Sequence, residues 1–359
     1  MDRRDFFKKA GAGALVAGAT AQGINVAHAK ESIKWKMVTT WPKNFPGLGT
    51  GANNLAKLIE EMSGGRIQVK VYAAGELVPP FEVFDTVSKG TAQIGHGVSL
   101  YWKGKIEAAP FFTGVPFGLT ALEMNAWLYH GGGLELWQEL YKPFGLIPEP
   151  AGNSGVQMAG WFNKRIDSLK DIKGLKMRIP GLGGEVIKRA GGTPVNIPGG
   201  EIFSSLKSGN IDAMEWIGPY NDLAFGFYKA AKYYYYPGWQ EPGSALEVLI
   251  NEKAFNALDK DLQAIVRNAC RASNDALTAE YTAQNARALT TLRDKHKVEI
   301  LRLPDDVLKK LRQLSEEVVA DIGKKDKMAK KVADSVMTFR DQAMAWHDIS
   351  ERAYLNARA

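Results

Sequence analysis

From Ile33 the chain alternates as I-K-W-K-M-V-T-T, which predicts a strand over residues 33–40. Leu55, Leu58, Ile59 and Met62 then recur at helical spacing, so a helix is expected over 51–62, stopped by Ser63-Gly64-Gly65. R-I-Q-V-K-V-Y-A over 66–73 returns to period two and predicts a second strand. A helix over 80–89, closed by Gly90, and a short strand over 92–97 follow. This order predicts a parallel sheet with crossover helices, and in such sheets ligands sit beyond the carboxyl ends of the strands. The segments leaving those ends are W-P-K-N-F-P-G (41–47), G-E-L-V (75–78) and V-S-L-Y-W (98–102).

Residues 110–150, rich in Phe, Pro, Gly and Trp, read as irregular connections around a helix at 121–129. Alternation then begins again. Strands are expected over 155–163, 175–179 and 212–216, an extended piece over 194–197, and helices over 184–190 and 201–207. A pattern that starts twice predicts an α/β protein of two lobes with a cleft between them, the natural place for a ligand. After Pro242 the chain reads as mainly helical. Val307, Leu308, Leu311, Leu314, Val318 and Ile322 form one stripe, Gly323 interrupts it, and Met328, Val332, Val336, Phe339, Ala343 and Trp346 form the next. These stripes can pack on the chain's own lobes, or the last helix can be exchanged between protomers. The run Tyr233–Tyr236 reads as a half-buried sheet edge, with alternate rings facing core and solvent.

The first residues modify this picture. Arg3 and Arg4 precede a short, glycine-rich apolar stretch and the small-residue site A-H-A at 27–29. This pattern predicts a twin-arginine export signal over 1–29, cleaved after Ala29, and a periplasmic protein. The apolar stretch is too short for a membrane span. The remaining chain is long enough for two lobes: 30–150 completed by about 243–275, and 151–242 completed by part of 276–305. Residues 306–359 form a C-terminal helical extension.

The formal charge is +7, and the signal holds four basic and two acidic residues, so about +5 remains. That suits small anions, and no basic stripe interleaved with aromatics supports nucleic-acid binding. The lone Cys270 sits in a helical pattern and reads as a small buried hydrophobe. His96, His130, His296 and His347 are far apart, and nothing pairs them with a nucleophile. No acid–base constellation points to an enzyme. G-L-G-G-E at 181–185 has Val186 where a dinucleotide-binding motif needs its third glycine.

Arg178 ends the strand L-K-M-R-I-P, and its guanidinium fork matches a carboxylate in two parallel hydrogen bonds. A surface salt bridge is the alternative. Glu215 and Trp216 end another strand, where successive side chains point to opposite faces unless the strand stops between them. A glutamate in an anion-binding cleft repels the ligand unless a cation lies between them. Hard cations take oxygen ligands, and Gln157 and Glu241 can supply more. An ordinary capping or interlobe role for Glu215 is the alternative.

The motifs W-K-M-V-T-T-W-P (35–42), R-I-Q-V-K-V-Y-A-A-G-E-L (66–77), G-N-S-G-V-Q-M (152–158), K-G-L-K-M-R-I-P-G (173–181), D-A-M-E-W (212–216) and Y-Y-Y-Y-P-G-W-Q-E-P (233–242) cover the chain after its signal. Over that length it resembles the solute-binding proteins of TRAP transporters (tripartite, ATP-independent, periplasmic), and within them the 2-oxo-acid binders. The resemblance implies the two-lobed periplasmic binding fold, a dimer through the C-terminal helix, and delivery of a pyruvate-like monocarboxylate to a membrane permease. It implies a bridging cation, sodium first and calcium second, held by Gln157, Glu215, the Trp216 backbone and Glu241. It implies Arg178 and Gln157 on the ligand carboxylate, with Trp216, Tyr101 and Asn153 as further ligand contacts. The Gly199-Gly200 pair departs from the wider family and favours 2-oxo or 2-hydroxy monocarboxylates over dicarboxylates. A 2-hydroxy acid such as lactate with calcium is the alternative ligand. A ligand sensor or a secreted lyase or hydrolase is the alternative function.

Overall fold

The structure is a computed structural model and describes residues 32–359. The predicted export signal lies outside the described residues. Eleven strands occur among them. They are Ile33–Thr39 (β1), Ile67–Tyr72 (β2), Ile94–Gly97 (β3), Leu146–Asn153 (β4), Gly160–Phe162 (β5) and Lys176–Arg178 (β6), then Thr193–Val195 (β7), Ala213–Met214 (β8), Tyr233–Tyr236 (β9), Ala245–Asn251 (β10) and Glu299–Arg302 (β11). They form two sheets, ordered β2-β1-β3-β10-β4 and β11-β9-β5-β8-β6-β7. Both are mixed rather than wholly parallel. β1 pairs in parallel with β2 and β3, whereas β10 runs antiparallel to β3 and β4. In the second sheet β5 is antiparallel to both β8 and β9.

Several expected elements change. The strand expected over 155–163 shrinks to Gly160–Phe162, so Gln157 lies on a connection. The region 110–150 contains a second helix, Gly133–Tyr141, and all but the last residues of β4. β10 falls where a helical region was expected. Every one of its residues is buried, so it shows no alternation. The tyrosine run is an internal strand, not an edge. Tyr234 and Tyr235 occupy opposite faces, and both are buried because each face is covered: Tyr234 stacks on Trp161 at 4.1 Å and Tyr235 meets Phe162 at 5.1 Å.

The first sheet is packed on both faces. Trp35, Met37, Val248 and Ile250 meet the helices Leu48–Met62 and Lys260–Thr290, with Cys270 buried among them. Val38, Leu249, Trp102 and Trp127 belong to the core on the other side. Helix Asp305–Gly323 buries Val307, Leu311, Leu314, Val318 and Ile322 as its stripe predicts. Helix Lys327–Ile349 buries Ala329, Val332, Ala333 and Val336, but Trp346 and Ile349 near its end are exposed. Among the described residues no helix is long and apolar enough to cross a membrane.

Glu247 on β10 ties the segment after β3 to this core. Its buried carboxylate accepts hydrogen bonds from Trp102 Nε1 and from Tyr141 Oη. Burial raises its pKa from 4.5 to about 8, against the pull of those two donors. A raised folded-state pKa gives a contribution that is complete below the unfolded value of 4.5 and is lost as pH rises through about 8. Glu247→Gln should therefore gain about 1–3 kcal/mol on the native chain between about pH 5 and pH 9. Parallel Tm curves for the two proteins across that range would contradict this.

Candidate functional site

β6 ends at Arg178, and Pro180 prevents the ladder from continuing. The arginine is 1% exposed. Its Nη1 donates to Glu215 Oε1 at 2.5 Å and to the Glu215 carbonyl at 2.8 Å. Nε donates to the Ile197 carbonyl at 3.4 Å, and Nη2 to Tyr101 Oη at 3.3 Å. The guanidinium lies 5.0 Å from the Trp216 ring. This pair is buried, so the surface salt-bridge alternative does not hold.

The strand bearing Glu215 and Trp216 stops at Met214, before both of them. Alternation therefore no longer sends them to opposite faces, and both line one cavity. Gly199 lets the next helix approach. A Cβ there would stand 2.5 Å from the Trp216 ring, whereas one at Gly200 would meet nothing within 4 Å.

The chain crosses between the sheets at 154–159 and again at 237–244. Gln157 lies on the first crossing and Glu241 on the second, and they bond side by side. Gln157 N donates to the Glu241 carbonyl at 3.3 Å, and Gln157 Nε2 to Glu241 Oε2 at 3.0 Å. Gly238 is required by this approach, because a Cβ there would lie 2.1 Å from the Gln157 carbonyl oxygen. Gln157, Arg178, Glu215, Trp216, Glu241 and Tyr101 thus meet at one cavity of about 30 Å³. Tyr101 holds the second arm of Arg178.

Asn153 does not join them. Its Nδ2 donates to the Gly243 carbonyl at 3.2 Å and its Oδ1 accepts from Gly155 N at 2.9 Å, so it braces the two crossings. Sequence reasoning also missed the apolar wall of Trp41, Val98, Leu100, Ile217 and Leu246. The first three were within reach, since they lie in the strand-end segments 41–47 and 98–102. The third such segment, 75–78, is not among the lining residues, and its Glu76 pairs with Lys43.

The electrostatics are unbalanced. Burial raises the pKa of Glu215 well above the usual carboxylate range, with Arg178 opposing and Glu241 adding to the rise. Burial likewise raises Glu241, opposed first by a hydrogen bond from Ser244. Two buried carboxylates share one arginine. Glu215 Oε2 and Gln157 Oε1 are buried acceptors without a hydrogen-bond partner. Among the described residues no group of three or more His, Cys, Asp or Glu forms a metal site. A donor set of carboxylate and amide oxygens with two unpartnered atoms fits a hard cation such as sodium or calcium.

The family model for bacterial extracellular solute-binding protein, family 7 (DctP), matches residues 37–326. The chain belongs to this family. It is a TRAP solute-binding protein, of a family that works outside the cytoplasm. It is 43% identical to a monocarboxylate 2-oxoacid-binding periplasmic protein of Nostoc sp. (strain PCC 7120), over 96% of this chain and 94% of that one. A TRAP periplasmic solute-binding protein of Pseudoalteromonas atlantica T6c, solved with bound sodium and pyruvate, is 42% identical with a TM-score of 0.88, covering 91% of this chain and 99% of its own. One from Colwellia psychrerythraea, solved with calcium and pyruvate, is 41% identical with a TM-score of 0.89, covering 91% of this chain and 100% of its own. The two-lobed α/β class expected for the family 7 proteins is thus the class observed.

Arg178→Ala leaves the buried Glu215 carboxyl without its partner, either stranded as a charge or forced to take up a proton, and should cost about 3–5 kcal/mol of stability by urea unfolding near neutral pH. Adding Glu215→Gln removes the stranded charge and should recover part of that loss. A double variant no more stable than Arg178→Ala alone would show that charge pairing is not the cause.

Proposed function

We propose that this protein captures a pyruvate-like 2-oxo monocarboxylate together with a bridging cation and delivers it to its TRAP permease. The observation that carries the reading is the pairing of buried Arg178 with the unpartnered oxygens Gln157 Oε1 and Glu215 Oε2 in one cavity. Arg178 and Gln157 hold the ligand carboxylate, with Tyr101 and Trp216 as walls. Gln157, Glu215, Glu241 and the Trp216 backbone hold the cation, which offsets negative charge and bridges the ligand's oxygens to the protein. Without it the ligand's negative charge would join two buried carboxyl groups, whose raised pKa values show that negative charge is already unfavourable there, beside one arginine. Sodium and calcium are both compatible with these ligands, with sodium placed first.

The first lobe comprises 30–150 completed by about 243–275, and the second 151–242 completed by part of 276–305. They part to admit the ligand and close over it. The ligand leaves chemically unchanged. The chain is exported by the twin-arginine route and cleaved after Ala29. It pairs with a second copy through the C-terminal helical segment, whose Trp346, Ile349 and Tyr354 are more than 60% exposed.

Calorimetry with pyruvate, with and without sodium or calcium, tests the central claim. Binding should require the cation, and Glu215→Ala should abolish that requirement along with most of the affinity. Arg178→Ala should cost about 2–5 kcal/mol of binding. Tight binding unaffected by cation removal would eliminate the bridging role, and turnover of pyruvate would eliminate the transport reading. Native mass spectrometry should find a dimer that Trp346→Glu combined with Ile349→Glu converts to monomer. An unchanged mass would remove the C-terminal helix from the interface.

A further inference from the structure

One wall of the cavity is held by a residue behind it. Trp41, just past β1, lines the site and is 2% exposed. Its indole Nε1 donates to His96 Nδ1 at 2.8 Å. The indole therefore spends its only donor on the protein and offers the ligand carbon. His96 sits in β3, is fully buried, and is not among the residues lining the cavity. Its Nε2 has no hydrogen-bond partner. Burial lowers the imidazole pKa to about 4, so the ring is neutral, with its proton on Nε2 and Nδ1 free to accept.

The bond sets the angle of a ring that matters to the site. Trp41 meets Trp216 edge-on, with centroids 6.4 Å apart and planes at 84°. It meets Tyr101 at 6.4 Å and 52°. Trp216 lies against the Arg178 guanidinium, and Tyr101 holds that arginine's second arm. A rotation of Trp41 would disturb both aromatic neighbours of the anion-binding group and the space beside it.

We propose that His96 is a positioning residue for ligand selectivity: by accepting from Trp41 it locks the indole as a rigid apolar wall that limits the side chain of the bound 2-oxo acid. This rests on the 2-oxo-acid reading of the cavity. Without the acceptor, a buried indole N–H is left unpaired, and the ring turns toward the oxygen-rich cavity to recover a partner. A wall that turns no longer discriminates by size.

The test compares pyruvate with 4-methyl-2-oxovalerate by calorimetry in the same cation. His96→Asn places an oxygen near the position of Nδ1 and should keep the native ratio of affinities. His96→Leu removes the acceptor and should shift that ratio by about tenfold or more toward the larger acid. Trp41→Phe removes the donor and keeps a ring. It should shift the ratio in the same direction, and adding His96→Leu to it should shift it little further. A purely structural role for His96 would lower Tm without moving the ratio. An unchanged ratio in a folded His96→Leu protein overturns the proposal. If that variant does not fold, an unchanged ratio in Trp41→Phe overturns it instead. A native protein that binds neither acid overturns the 2-oxo-acid reading itself, and this proposal with it.

Discussion

The site depends on a buried arginine with too many carboxylates. Arg178 is held in the interior by Glu215, which takes one of its arms through both side chain and carbonyl. That pairing orients the guanidinium and leaves its other arm toward Tyr101. A second carboxylate, Glu241, lies in the same low-dielectric space. A buried charge imbalance is unfavourable, and a site built around one favours any ligand that corrects it. With an organic monoanion, a calcium ion does so and a sodium ion leaves the balance unchanged, whereas the anion alone makes it worse.

The fold makes this possible by where it lets the chain cross. The two sheets share the segments 154–159 and 237–244, and these carry Gln157 and Glu241. Their backbones run so close that Gly238 has room for no side chain. Residues from the ends of β6 and β8 approach from the second sheet, and Trp41 and Tyr101 from the first. The site therefore exists only while both sheets contribute. Its shape answers to any movement of one sheet against the other.

Much of this was legible in the sequence. Arg178 could be found because proline stops its strand, and the segments 41–47 and 98–102 because ligands gather at the ends of parallel strands. Other features were hidden for specific reasons. β10 is buried on both faces and so lacks alternation. The tyrosine run reads as a sheet edge, yet β9 is internal and both of its faces are covered. Asn153 has the right chemistry for a ligand contact, but its amide is used between the two crossings.

By itself, the sequence determined the α/β pattern begun twice, the local ends of the strands and the supply of hard oxygen ligands, since these follow from periodicity and residue type within short windows. Tertiary structure decided which of those groups share one dielectric environment. Glu215 and Trp216 face the same cavity only because β8 ends one residue before them. Gln157 meets Glu241, more than eighty residues away, only because two chain crossings lie side by side. Charge balance, and with it the case for a cation, is a property of distance and burial, and neither is written in any single stretch of the chain.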